Sequence, residues 1–143
     1  MYNIILSAPS DYPRIMEIWE SAVVATHDFL TTEDFNYFKE AIPKDYLPNL
    51  NVYLIAEESE IVGFAAVAED TLEMLFIHTD FRGKGYGKIL CKFMKDKIGF
   101  TKVDVNEQNQ LALQFYENMG FRKISRSAKD NSGKIYPIIH MGL

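Results

Sequence analysis

The sequence predicts an α/β protein with a mixed central sheet of about seven strands, in the order β-αα-βββ-α-β-α-ββ. Three observations predict it. Short runs rich in β-branched and aromatic residues alternate with runs of helical apolar period. The three middle β-rich runs are separated only by short polar turns, which makes them an antiparallel meander. The run at Lys102 to Asn106 is reached from the preceding strand through a helix, so that pair should be parallel with a right-handed crossover.

Each element has its own signal. Tyr2 to Ser7 reads as an opening strand. Ser10, Asp11 and Pro13 then supply capping residues and a first-turn proline for a helix whose apolar face is Ile15, Ile18, Trp19, Ala22 and Val23. After Ala25 to Leu30 interrupts the pattern, Thr31 and Thr32 offer a second cap. Phe35, Phe38 and Ile42 mark a shorter helix that Pro43 and Pro48 should close. Asn51 to Glu57, Ile61 to Ala68 and Thr71 to Ile77 form the meander around the turns Glu58 to Glu60 and Glu69-Asp70. Lys88 to Ile98 is helical, with Ile89, Leu90, Phe93, Met94 and Ile98 inward. A helix from Asn109 to Met119 buries Leu111, Ala112, Phe115 and Met119, and Gly120 ends it in the left-handed region. Phe121 to Ala128 and Lys134 to Met141 finish the chain as a hairpin, with Asn131 and Gly133 in its turn.

Composition narrows the function. A chain of 143 residues, 48% hydrophobic and 13% aromatic, is expected to form a single domain over 1–143. Its net charge of −5 argues against nucleic acid as a partner. No window is long and apolar enough for a membrane, and the first residues carry no signal-peptide pattern. One cysteine, Cys91, permits no internal disulfide, and a cytoplasmic protein is expected. His27, His78 and His140 are scattered and no Cys-x-x-Cys is present, so no metal is expected.

The segment Arg82-Gly83-Lys84-Gly85-Tyr86-Gly87 lies between a strand and a helix and reads as a phosphate cradle. Its glycines permit positive φ and let successive N–H groups converge on an anion, and the helix behind adds its donors and dipole. Arg82, Lys84 and Lys88 make the site locally basic within an acidic chain.

Strand, Arg-x-x-Gly-x-Gly, helix, strand and then Asn109-x-x-Ala112-x-x-Phe115-Tyr116-x-x-x-Gly120-Phe121 together resemble the GNAT superfamily of acetyl-CoA-dependent N-acetyltransferases, over nearly the whole chain. The resemblance looks closest to small bacterial members with an Ala-Thr-His-Asp-Phe-Leu stretch, here Ala25 to Leu30, and an Asn-Glu-Gln-Asn stretch, here Asn106 to Asn109. Thr79 stands where members often have proline, and a slightly looser loop is expected from it. The resemblance implies a GNAT fold, with a bulge in the strand from Leu72 to Ile77 and a V-shaped splay between the fourth and fifth strands. It implies acetyl-CoA as cosubstrate. The pyrophosphate would rest on Arg82, Gly83, Lys84, Gly85, Tyr86, Gly87 and Lys88. The pantetheine arm would lie along the backbone of Leu75, Phe76 and Ile77, with Asn109 and Phe115 against it.

Tyr116 matches the family's general-acid tyrosine, which would protonate the departing thiolate. Glu73 and His27 compete as general base, and the N–H of Phe76 or Ile77 would steady the oxyanion. Ordinary structural uses stand beside these roles: Asn109 as a helix cap, Phe115 as core, Tyr116 as an anchor of its helix, Glu73 and His27 as surface groups. The acceptor implied is a small amine or a peptide amine, attacked directly in a ternary complex. His27, Asp28, Phe29 and the hairpin around Tyr136 are expected to shape its pocket. A homodimer is left open. The rival readings are a noncatalytic acyl-CoA-binding sensor and another phosphate-ligand protein.

Overall fold

The computed structural model describes residues 1–26 and 30–143. The elements are β1 (Tyr2–Leu6), α1 (Tyr12–Thr26), α2 (Thr32–Ala41), β2 (Asn51–Glu57), β3 (Glu60–Ala68), β4 (Thr71–Ile77), α3 (Tyr86–Lys97), β5 (Lys102–Asn106), α4 (Gln110–Asn118), β6 (Arg122–Ser127) and β7 (Ile138–Gly142). They form a seven-stranded sheet in the order β1-β2-β3-β4-β5-β7-β6, the expected α/β architecture. Among the described residues only the β4–β5 pair is parallel.

Each sheet face carries its own core. On one face Ile15, Ile18, Trp19 and Val23 of α1 pack with Val52, Leu54, Phe64 and Ala66, and Trp19 stacks on Phe35 of α2 at 5.3 Å. On the other, Leu90, Cys91 and Met94 of α3 and Tyr116 of α4 meet Val62, Ala65, Val67, Val103, Val105 and Met141. The caps form where the sequence places them. Thr31 accepts the Asp34 N–H at 3.1 Å, Asn109 accepts that of Ala112 at 3.1 Å, and Gly120 has φ 100°.

Two boundaries and one turn residue differ from expectation. The chain does not stop at Pro43: a π turn (Ile42–Tyr46) and a 3-10 turn (Leu47–Asn49) carry α2 onward. Each proline sits at the start of its turn, where a missing N–H costs nothing. The last strand begins at Ile138 rather than Lys134. Lys134 folds back so that its carbonyl accepts the Tyr136 N–H at 2.8 Å, and Pro137 has no N–H for a ladder. In the hairpin loop Gly133 takes positive φ, at 79°, and Asn131 does not.

Two irregularities in β4 position the site. Its pairing with β5 is confined to Thr71 with Lys102 and Leu72 with Val103, after which the strands part as the expected V. Against β3, Ala66 faces Met74 while Val67 faces Leu72, so Glu73 is the extra residue of a bulge. The bulge inverts the side-chain parity. Leu72 belongs to the α3/α4 core, yet Met74 and Phe76 pack on the α1/α2 side and Leu75 and Ile77 on the α3/α4 side.

Candidate active site

The glycine loop is built as a turn that only glycine enters without strain. Gly83 and Gly85 have φ of 78° and 86°, and Gly85 is the left-handed residue from which α3 starts. The first amides of α3 have no acceptor within the helix, which leaves them for an anion. Arg82, Lys84 and Lys88 are exposed around them, with Lys84 Nζ 5.3 Å from the centre of the Phe81 ring. Tyr86 contributes through its backbone alone, because its ring is buried in the core. Thr79 does the opposite of loosening the loop. Its hydroxyl donates to the Ser21 carbonyl at 2.8 Å and its N–H to the Ser21 hydroxyl at 3.3 Å, tying the loop to α1.

Along the splay, β4 presents an unpaired edge. The His78 N–H donates to the Val62 carbonyl at 2.8 Å. The antiparallel register pairs Ile77 with Gly63, Phe76 with Phe64 and Leu75 with Ala65. Hydrogen-bonded pairs alternate in such a ladder, so the Phe76 N–H is used by β3 while those of Leu75 and Ile77 point into the V. Of the two amides expected to face the oxyanion, the register therefore leaves Ile77.

A cavity of about 230 Å³ follows this edge, lined by Leu75, Phe76 and Ile77 and by Arg82, Gly87, Asn109, Ala112, Phe115 and Tyr116. Of the residues expected at an acyl-CoA site, Leu75, Phe76, Ile77, Arg82, Gly87, Asn109, Phe115 and Tyr116 line this one cavity, whereas Gly83, Lys84, Gly85, Tyr86 and Lys88 do not. Tyr116 is 7% exposed, with its ring 5.1 Å from Phe115 and 5.9 Å from Phe121. Burial, with the neighbouring Cys91 adding to it, pushes its phenol far above the ordinary range. The group stays a proton donor at any physiological pH. Cys91 is itself pushed up to about 11 by burial, so it remains a thiol and no nucleophile.

The second cavity, about 450 Å³, lies on the α1/α2 side of the splay and shares Phe76 with the first. Its floor holds Glu73, Asp104 and Asn106, its walls include Trp19, Phe38 and Tyr46, and its rim includes Asp130 and Tyr136. No Lys, Arg or His is among the described residues that line it. Partial burial in the cleft raises the Glu73 carboxyl above its ordinary value, and the negative charge of Asp104 adds to that. The loop after β6 is latched over this cavity. The Tyr136 hydroxyl donates to the Asp34 carboxylate, Lys134 Nζ reaches Asp34 at 2.7 Å, and Tyr46 and Ser132 share a hydrogen bond of 2.7 Å. His27, Asp28 and Phe29 lie outside the described residues.

Asp104 was not anticipated as a site residue, although the strand carried a signal. A parallel strand in mid-sheet is usually apolar on both faces. In Lys102-Val103-Asp104-Val105-Asn106 the valines fill the α3/α4 core, and Asp104 and Asn106 face the cavity.

A family model described as the acetyltransferase (GNAT) domain matches residues 23–138. The chain belongs to the GNAT acetyltransferase family. This GNAT enzyme is 34% identical over 142 residues to the peptidyl-lysine N-acetyltransferase YjaB of Salmonella typhimurium, covering 99% of this chain and 97% of that protein. The solution structure of apo YjaB from Escherichia coli superimposes with a TM-score of 0.90 at 31% identity, covering 99% and 97% of the two chains. The fold is also that of the PaiA N-acetyltransferase of Thermoplasma acidophilum in complex with coenzyme A, with a TM-score of 0.74, 18% identity and coverage of 100% and 99%. The enzyme transfers an acetyl group from acetyl-CoA, its cosubstrate, to an amine. Among the described residues no helix is long and apolar enough to cross a membrane.

Proposed function

We propose that this acetyltransferase acts on lysine side chains of peptides or proteins by direct attack in a ternary complex, with 1–143 working as one catalytic unit in the cytoplasm. The observation that carries the reading is the meeting of two unlike cavities at Phe76. One is narrow and runs from the glycine loop to Tyr116. The other is wider, aromatic and lined by carboxylates without a described basic residue, which suits an ammonium on an aliphatic stem. The similarity to a peptidyl-lysine N-acetyltransferase supports the same acceptor.

In this reading the amides from Gly83 to Lys88, with Arg82 and Lys84, hold the pyrophosphate. The edge of β4 at Leu75 and Ile77 pairs with the pantetheine amides as an added strand would. Asn109 serves both as the cap of α4 and as a wall of that channel, and Phe115 packs beside it. Glu73, whose carboxyl is raised by burial and by Asp104, takes the proton from the ammonium in its ionised form. The Ile77 N–H stabilises the developing oxyanion, and Tyr116 protonates the thiolate as it leaves. No step requires a metal.

The test is thiol release from acetyl-CoA with a lysine peptide whose α-amine is blocked, with mass analysis of the product. Acetylation at the lysine ε-amine is expected. In the same assay Tyr116→Phe should lower kcat about 100-fold, the low end of general acid catalysis, with little change in acetyl-CoA affinity. Tight acetyl-CoA binding with no turnover on any amine would instead favour a sensor. An unchanged rate in Tyr116→Phe would remove the general acid.

A further inference from the structure

Asp104 on the cavity floor is the end of a chain of side chains that the chemistry above does not use. His140 of β7 lies directly across from Asp104 in the sheet, and its Nδ1 is 2.7 Å from Asp104 Oδ1. Its other ring nitrogen, Nε2, is 2.6 Å from the Ser127 hydroxyl of β6. The three groups are half-buried, on the sheet face that opens into the larger cavity, while the alternate residues Val103, Val105, Ile139 and Met141 fill the opposite core. A carboxylate can only accept, so Nδ1 carries the proton toward Asp104. In the neutral ring Nε2 then accepts from the serine hydroxyl, so Asp104 selects the tautomer and Ser127 adapts to it.

We propose that His140, backed by Ser127, is a positioning residue for the transfer reaction: it holds one oxygen of Asp104 so that the carboxylate stays fixed on the floor of the acceptor cavity beside Glu73. Several observations join here. The anchor runs across β5, β7 and β6, three strands whose ladders keep its members in register. The 2.7 Å contact from the imidazole to Asp104 Oδ1 sets the orientation of the carboxylate. The groups facing the array are Glu73 from β4, Asp104 from β5, Ser127 from β6 and His140 itself. Glu73 and Asp104 are like charges lining one cavity and repel each other, so an untethered Asp104 would swing away. With the tether, two carboxylates stay near one point, which an incoming ammonium can satisfy together.

This inference rests on the larger cavity being the acceptor site, and the experiment separates the two. The full-length enzyme is assayed with Nα-acetyl-lysine methylamide and acetyl-CoA varied independently. His140→Ala is expected to raise KM for the amine on the order of ten-fold, the loss of a hydrogen bond to a charged group, with KM for acetyl-CoA unchanged. His140→Asn, which keeps a donor near the place of Nδ1, should recover most of it, and Ser127→Ala should give a smaller rise of the same kind. Thermal unfolding checks that each variant folds. If His140→Ala leaves KM for the amine unchanged while Asp104→Asn raises it, the positioning role fails and the cavity assignment stands. If His140→Ala raises both KM values together and His140→Asn does not rescue, the residue is merely structural and the proposal falls. If Asp104→Asn and the cavity-filling Ile138→Trp both leave KM for the amine unchanged, the cavity is not the acceptor site and both readings fall. A wild-type enzyme that prefers another amine changes the probe, and the same comparison is then made on that amine.

Discussion

Glu73, the proposed base, stands at a single inserted position. As the extra residue of the β4 bulge it is turned to the cavity side together with Met74, and there it meets Asp104. Its carboxyl is raised first by burial and then by that neighbouring charge. As a base it must be ionised, so activity should fall as pH drops through its raised value. Removing the Asp104 charge makes the Glu73 anion easier to form. In Asp104→Asn the acidic limb of the kcat/KM profile should therefore move to lower pH, while remaining above that of an ordinary glutamate because the burial persists. A limb that stays in place would mean that another group supplies the base. Tyr116 is the opposite case, held protonated by burial, so its loss should lower the rate without a new limb.

At the level of elements, the approach of β3 to β4 fixes the strand that faces the cosubstrate. A Cβ on Gly63 would clash with the Ile77 side chain and lie 3.0 Å from the Phe76 carbonyl oxygen. Gly63→Ala should therefore push β4 toward the V, costing roughly 1–3 kcal/mol as overpacking does and raising KM for acetyl-CoA several-fold more than KM for the amine. Equal effects on both would show that the strand's exact position is immaterial. The sequence made most of this layer legible: Thr31, Asn109 and Gly120 announce helix ends, and two glycines in αL announce the cradle. The β4 bulge was implied by the family resemblance but not legible in the residues themselves, since neither glycine nor a break in pattern marks Glu73. Asp104, His140 and Ser127 come together only through the order β5-β7-β6, which no local pattern encodes. Pro43 misled because proline ends a helix only where its N–H is needed.

For the whole molecule, the net charge of −5 means that the proposed anion site would rely on backbone amides and a small basic cluster rather than on overall charge. Recognition of acetyl-CoA should then need the entire channel from Arg82 to Tyr116. At about 100-fold excess over Kd, acetyl-CoA should stabilise the fold by about 2.7 kcal/mol, raising Tm by roughly 5–10 °C, whereas ATP, which shares only the phosphate end, should do much less. Equal shifts from the two ligands would point to a protein that reads phosphate alone.

The inner edge of β4 also bears on how this protein avoids its own kind. An unpaired strand edge ordinarily invites a neighbouring polypeptide and, with it, aggregation. Here the edge opens inside the sheet, closed at one end where Leu72 meets Val103, and faced by a β5 whose far side is already paired with β7. A polypeptide strand needs about 4.8 Å on each side along its full length, which a wedge cannot give. A thin chain that narrows toward a thioester needs room only at the open end, so exclusion of stray strands follows from where the edge lies, without the charges or prolines that guard an outer edge.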